Sequence, residues 1–91
     1  MSETNIILIG KKPVMNYVLA CLTLIQNGSD KVTIKARGRN ISTAVDAAQI
    51  VINRFTTDFS VKGVNIATEE LKSRENDRVS NVSSIEINIG K

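Results

Sequence analysis

The hydrophobic pattern of this chain switches between strand-like and helical spacing four times, and that succession limits the fold more than any single residue does. Asn5 to Gly10 (NIILIG) is a short, almost continuous apolar run closed by glycine, the pattern of a strand buried on both faces. From Pro13 the spacing becomes helical. Met15, Val18, Leu19, Leu22 and Ile25 form a stripe, Pro13 suits the first helical position, and Asn27-Gly28 supplies the stop. Lys31 to Ala36 then alternates as a strand with one buried face does. Arg37-Gly38-Arg39 reads as a loop, and either Asn40 or Ser42 can cap a second helix running to about Phe55. On that helix Ile41, Val45, Ala48, Ile52 and Phe55 form one stripe, and Ala44, Ala47, Ile50 and Val51 form another beside it. Together they are wider than the ~100° needed to cover a sheet, and the outer stripe is expected to meet a second copy of the chain.

Val61 to Leu71 and Val79 to Ile89 read as strands, separated by the wholly polar stretch from Lys72 to Arg78, which makes a projecting hairpin. The expected order is β-α-β-α-β-β, an α+β sandwich. Two parallel strands are joined through the first helix, a terminal antiparallel hairpin follows, and both helices pack on a mixed four-stranded sheet. At 91 residues there is room for one domain, taken as 1–91, with a thin margin of stability unless a partner subunit adds buried area.

Composition narrows the chemistry. The chain has no histidine and one cysteine, Cys21, set in an apolar run, so no internal disulfide, metal cluster or histidine base is available and no cofactor is expected. No P-loop or Gly-x-Gly-x-x-Gly spacing occurs, Glu69 and Glu70 point to opposite faces of a strand, and the aspartates are scattered, so an enzyme is not expected. No secretory leader or membrane-length apolar run is present, and a soluble, intracellular location with no membrane partner is expected. The formal charge is only +3, but residues 1–54 carry seven bases and three acids whereas residues 55–91 carry five bases and six acids. The positive field is therefore concentrated in one part of the molecule, as suits a polyanionic partner.

Three basic clusters fall at element ends. Lys11 and Lys12 stand between the first strand and the first helix, where amides and the helix dipole favour a phosphate. Lys35, Arg37 and Arg39 lie at the end of the second strand, which is expected to run parallel to the first, so both loops leave one edge of the sheet. Lys72, Arg74 and Arg78 ride on the hairpin, mixed with Glu69, Glu70, Glu75 and Asp77, where a salt-bridged arm is the plainer expectation. Aromatics are confined to Tyr17, Phe55 and Phe59, and strands without aromatic pairs are poor platforms for unstacked bases. Phosphate contact and groove shape are the expected mode, and a dimer making ~10 contacts should lose affinity with a log–log salt slope of up to about −9.

The stretch Ile9-Gly10-Lys11-Lys12-Pro13-Val14-Met15-Asn16-Tyr17-Val18, with Ile34-Lys35-Ala36-Arg37-Gly38-Arg39, Ile41-Ser42 to Asp46, Asn53-Arg54-Phe55 and Ser83-Ser84-Ile85-Glu86-Ile87, closely resembles archaeal Alba proteins over nearly the whole chain. The resemblance implies a fold like the C-terminal domain of bacterial translation initiation factor three. It also implies a homodimer and abundant chromosome-associated binding of double-stranded DNA and of RNA in the cytoplasm, with condensation of DNA. By the same resemblance Lys11 and Lys12 are the DNA-contacting pair, with Lys11 the acetylated lysine, served by acetylating and deacetylating enzymes. Arg37 and Arg39 form the basic loop, and Arg54-Phe55 is the contact between neighbouring dimers. The hairpin departs from the commoner Asp-Gly turn in carrying Asn76-Asp77 beside Glu75, which puts minor-groove insertion by this arm in doubt. Two other readings stay open: an RNA-binding subunit of a ribonucleoprotein, and an adaptor dimer whose basic edge docks an acidic protein.

Overall fold

The computed structural model describes residues 5–73, 75 and 78–91. The elements are β1 (Ile6–Leu8), α1 (Val14–Gln26), β2 (Lys31–Arg37), a 3₁₀ turn (Gly38–Asn40), α2 (Ile41–Ile50), a π turn (Val51–Phe55), β3 (Ser60–Lys72) and β4 (Val79–Gly90). They form one four-stranded sheet in the order β1-β2-β4-β3, with β1 parallel to β2 and the other neighbours antiparallel. The β-α-β-α-β-β succession and the mixed sheet are those read from the sequence.

Both helices lie on one face of the sheet, and the inward side of each strand is apolar. Val32, Ile34 and Ala36 of β2 pair with Ile89, Ile87 and Ile85 of β4. These residues meet Tyr17, Val18 and Cys21 of α1 and Ala44, Ala47, Ala48 and Val51 of α2 in a single core. The alanines of α2 let its backbone sit close to the sheet. Fully buried side chains such as Ile34 and Ile89 each contribute about 1.5–3 kcal/mol of burial free energy. Cys21 is one of the small apolar groups in this core, and burial pushes its thiol from 9.0 up to about 11, so it is protonated at neutral pH.

Three expectations are corrected. β1 is not buried on both faces: it is a three-residue edge strand in which Ile7 packs on the core while Ile6 and Leu8 look outward, Leu8 at 71% exposure. Among the described residues there are two α-helices, both on the same side of the sheet, and no element covers the other face. The stripe of α1 is rotated in part from the expected one: Val18, Leu22 and Ile25 pack on the core as expected, but Tyr17 and Cys21 join them whereas Met15 and Leu19 are exposed. Finally, Arg37 is the last residue of β2, and the loop after it is a 3₁₀ turn.

α1 ends as its Asn27-Gly28 pair predicts. Gly28 takes φ +100°, its N–H donates to the Ile25 carbonyl, and the Ser29 N–H donates to the Leu24 carbonyl, so two carbonyls at the helix end are satisfied. Pro13 occupies the cap position itself, one residue before the helix. α2 continues into the π turn, where the Thr56 hydroxyl donates toward the carbonyls of Val51 and Ile52. Within β3, a bulge at Lys62 shifts the register between Val61 and Gly63. The shift brings Val61, Val64 and Ile66 onto the helix side of the sheet, although their spacing of three and two would otherwise divide them between faces.

Candidate functional site

The loops after β1 and β2 leave the same end of a parallel pair, and hydrogen bonds tie them together. The Ile9 N–H donates to the Lys35 carbonyl at 2.9 Å. The Asn40 side-chain amide donates to the Ile9 carbonyl at 3.4 Å. Asn40 therefore occupies the position before α2, but its side chain makes no hydrogen bond to the helix amides and is spent on joining the two loops. Sequence reasoning read Asn40 only as a cap candidate.

The lysine loop is shaped by Tyr17, one turn into α1. The Gly10 N–H and the Lys12 N–H both donate to the Tyr17 hydroxyl oxygen, at 2.8 and 3.0 Å. An alanine Cβ at Gly10 would lie 3.4 Å from that oxygen, so the chain approaches the ring closely here. With the backbone on either side of Lys11 pinned to a buried ring, Lys11 and Lys12 are themselves exposed and stand ahead of the N-terminus of α1. The sequence signal for this role was weak, because a tyrosine in a helical apolar stripe reads as core.

At the second loop, Gly38 takes φ +56°, a left-handed conformation that glycine adopts without a Cβ penalty. Arg37 and Arg39 diverge across it. Arg39 is exposed in the turn, whereas the Arg37 guanidinium folds back over the sheet to Glu69 at 3.3 Å. Lys35, on the same face of β2, pairs with Glu86 at 3.6 Å. Among the described residues, no ion pair involves Lys11, Lys12 or Arg39. These three cations on one rim attract anions without first giving up a carboxylate partner.

The remaining candidates lie elsewhere. Lys72 ends β3 and Arg78 precedes β4, far along the hairpin, whose strands are joined by the Ser73 N–H donating to the Arg78 carbonyl. Arg74 lies outside the described residues, as does the Asn76-Asp77 turn. Arg54 and Phe55 are exposed on the π turn.

The sequence model of the family described as Alba matches residues 5–70. This chain belongs to the Alba family. The "DNA/RNA-binding protein Alba" of Methanocella arvoryzae is 55% identical over 87 residues, covering 96% of this chain and 90% of that protein. The "DNA/RNA-binding protein Alba 1" of Archaeoglobus fulgidus is 52% identical, covering 96% of each. The solved structure of Alba from Thermoplasma volcanium superposes with a TM-score of 0.87 at 46% identity, covering 94% of this chain and 99% of that one. ALBA1 from Trypanosoma brucei shares the fold at a TM-score of 0.77 and 20% identity, covering all of this chain and 72% of that one. Membership in the Alba family makes this chain a binding protein, not an enzyme. No helix among the described residues is long and apolar enough to cross a membrane.

Proposed function

We propose that this chain binds duplex DNA and RNA without sequence preference, through phosphate contacts along a basic rim doubled in a homodimer, and that it coats or compacts the chromosome. The observation that carries this reading is the convergence of Lys11, Lys12 and Arg39 on one end of the β1–β2 pair, with no ion pair among the described residues to neutralise them. The names of the two relatives, both DNA/RNA-binding proteins, support it. Lys35 and Arg37 extend the rim onto the sheet, and Lys72, Arg74 and Arg78 offer further phosphate contacts on the arm. The whole of 1–91 acts as one domain.

The homodimer is supported by apolar surface that the fold leaves bare. α2 packs over β2 and β4, so its outer residue Val45 and the helix-side residues of β3, Val64 and Ile66, are exposed, Ile66 to 79%. Covering such a surface with a second copy relieves the thin stability margin of a chain this short. Arg54 and Phe55 contribute the contact between neighbouring dimers. Lys11 is exposed and so open to an acetylating enzyme, and acetylation would delete one charge from the rim.

The test is Lys11→Glu combined with Lys12→Glu, titrated with duplex DNA and duplex RNA at several salt concentrations. The variant should melt as the parent does and bind at least about tenfold more weakly, because each reversal replaces attraction to a phosphate by repulsion. Unchanged affinity would remove this rim from the reading. Preference for one folded RNA at high salt would point instead to a ribonucleoprotein subunit.

A further inference from the structure

The sheet face away from the helices carries cations that are already occupied. Lys35 is opposite Glu86 in the β2–β4 register, and their charged groups are 3.6 Å apart. Arg37 is opposite Ser84, which in turn is opposite Ala67 of β3; its side chain crosses β4 and ends 3.3 Å from Glu69. Bases on β2 are thus matched by acids on β4 and β3, across three strands. The four charged groups line an open cleft of about 530 Å³ that also includes Leu8, Asn40, Asn65 and Ser84, and it adjoins the rim through Ile9 and Asn40. Lys11, Lys12 and Arg39, with no such partners among the described residues, lie in the segments that follow β1 and β2.

We propose that this cleft is a second phosphate-binding surface, and that Glu69 and Glu86 mask it and set the ceiling on affinity for nucleic acid. The proposal rests on the nucleic-acid reading above and adds to it the two residues that oppose binding. A carboxylate and a phosphate compete for the same donors, and the guanidinium of Arg37 cannot serve both fully. When Arg37 or Lys35 turns to a phosphate, the abandoned carboxylate is left facing a polyanion, which adds repulsion to the lost pair. Both pairs are half-exposed, so the mask is weak enough for a duplex to displace in part and strong enough to measure.

Glu70 separates this local effect from net charge. It is the next residue along β3 and also exposed, but strand alternation puts it on the opposite face, and among the described residues no ion pair involves it. Glu69→Gln, Glu86→Gln and Glu70→Gln each raise the net charge by one, so a purely long-range field would act on all three alike.

The experiment is a fluorescence-anisotropy titration of a mixed-sequence duplex DNA with the full chain and these variants, over a series of salt concentrations. Glu69→Gln and Glu86→Gln should each tighten binding roughly two- to five-fold, and together by about tenfold. The salt slope should steepen by about 0.9 for each phosphate newly engaged. Glu70→Gln should gain less than either and keep the parental slope, and adding Arg37→Gln to Glu69→Gln should abolish that variant's gain. Equal gains in Glu69→Gln and Glu70→Gln with unchanged slopes, or no gain at all, would overturn the proposal while leaving the rim intact. A parent chain and variants that all fail to bind at low salt would overturn the nucleic-acid reading and this proposal with it. Thermal melts followed by circular dichroism show whether each variant is folded, and glutamates that are exposed or half-exposed, exchanged for isosteric amides, should leave melting within a few degrees of the parent.

Discussion

Two backbone amides converge on one phenolic oxygen at Tyr17, and this contact explains how a pair of flexible lysines can be aimed at all. Tyr17→Phe deletes the acceptor but keeps the ring in the core, leaving the Gly10 and Lys12 amides to find water or go unpaired. The expected result is a folded protein destabilised by about 1–2 kcal/mol in chemical denaturation. Its affinity for duplex DNA should be several-fold weaker well below its melting temperature, with a shallower salt slope because the lysines no longer meet phosphates together. Loss of stability with affinity and slope unchanged would make Tyr17 a core residue and nothing more. The lysines themselves were legible from their place before a helix, but the tyrosine's task was not. Where a hydroxyl on a helical stripe points depends on the path of a loop five to seven residues away, and no periodicity encodes that path.

At the scale of elements, helices and strands were legible wherever the hydrophobic period ran long. The β2 alternation and the Ile85-Glu86-Ile87-Asn88-Ile89 alternation of β4 placed their buried faces correctly. β1 misled because a run of four apolar residues looks the same whether it lies in the middle of a sheet or at its edge. The phase of α1 was hidden for a related reason: a helix apolar around most of its circumference does not announce which side meets the sheet. The bulge at Lys62 left a trace, the broken alternation Val61-Val64-Ile66, that is interpretable only once the partner strand is known. The π turn is an element no pattern suggested, and it holds Phe55 at 50% exposure just beyond α2. Phe55→Ala should therefore leave the proposed dimer intact in sedimentation while abolishing higher-order filaments on DNA. Monomers in that experiment would assign the π turn to the primary subunit interface.

For the molecule as a whole, the strand order β1-β2-β4-β3 decides both what the sheet hides and what it offers. It inserts β4 between β2 and β3, and so allows Arg37 to reach Glu69 across a strand. A list of charges could not disclose that pairing, because neither the order nor the register is written in local sequence. The same order leaves β3 outside the cover of α2, with Val64 and Ile66 bare. Ile66→Asp should accordingly give monomers in sedimentation equilibrium and a salt slope about half the parental value, since each bound unit would then neutralise half as many phosphates. Dimers that survive Ile66→Asp would move the proposed interface off β3.

The long hairpin stretches the molecule to 48 Å along its greatest dimension against 28 and 19 Å along the others. One turn of B-form duplex advances only about 34 Å. Copies aligned lengthwise on a double helix thus cannot be spaced one per turn without their arms sliding past one another. Crowding between neighbours, more than the number of cations each one carries, would then govern how densely the polymer can be covered, and the saturating ratio of base pairs to protein should report that steric spacing directly.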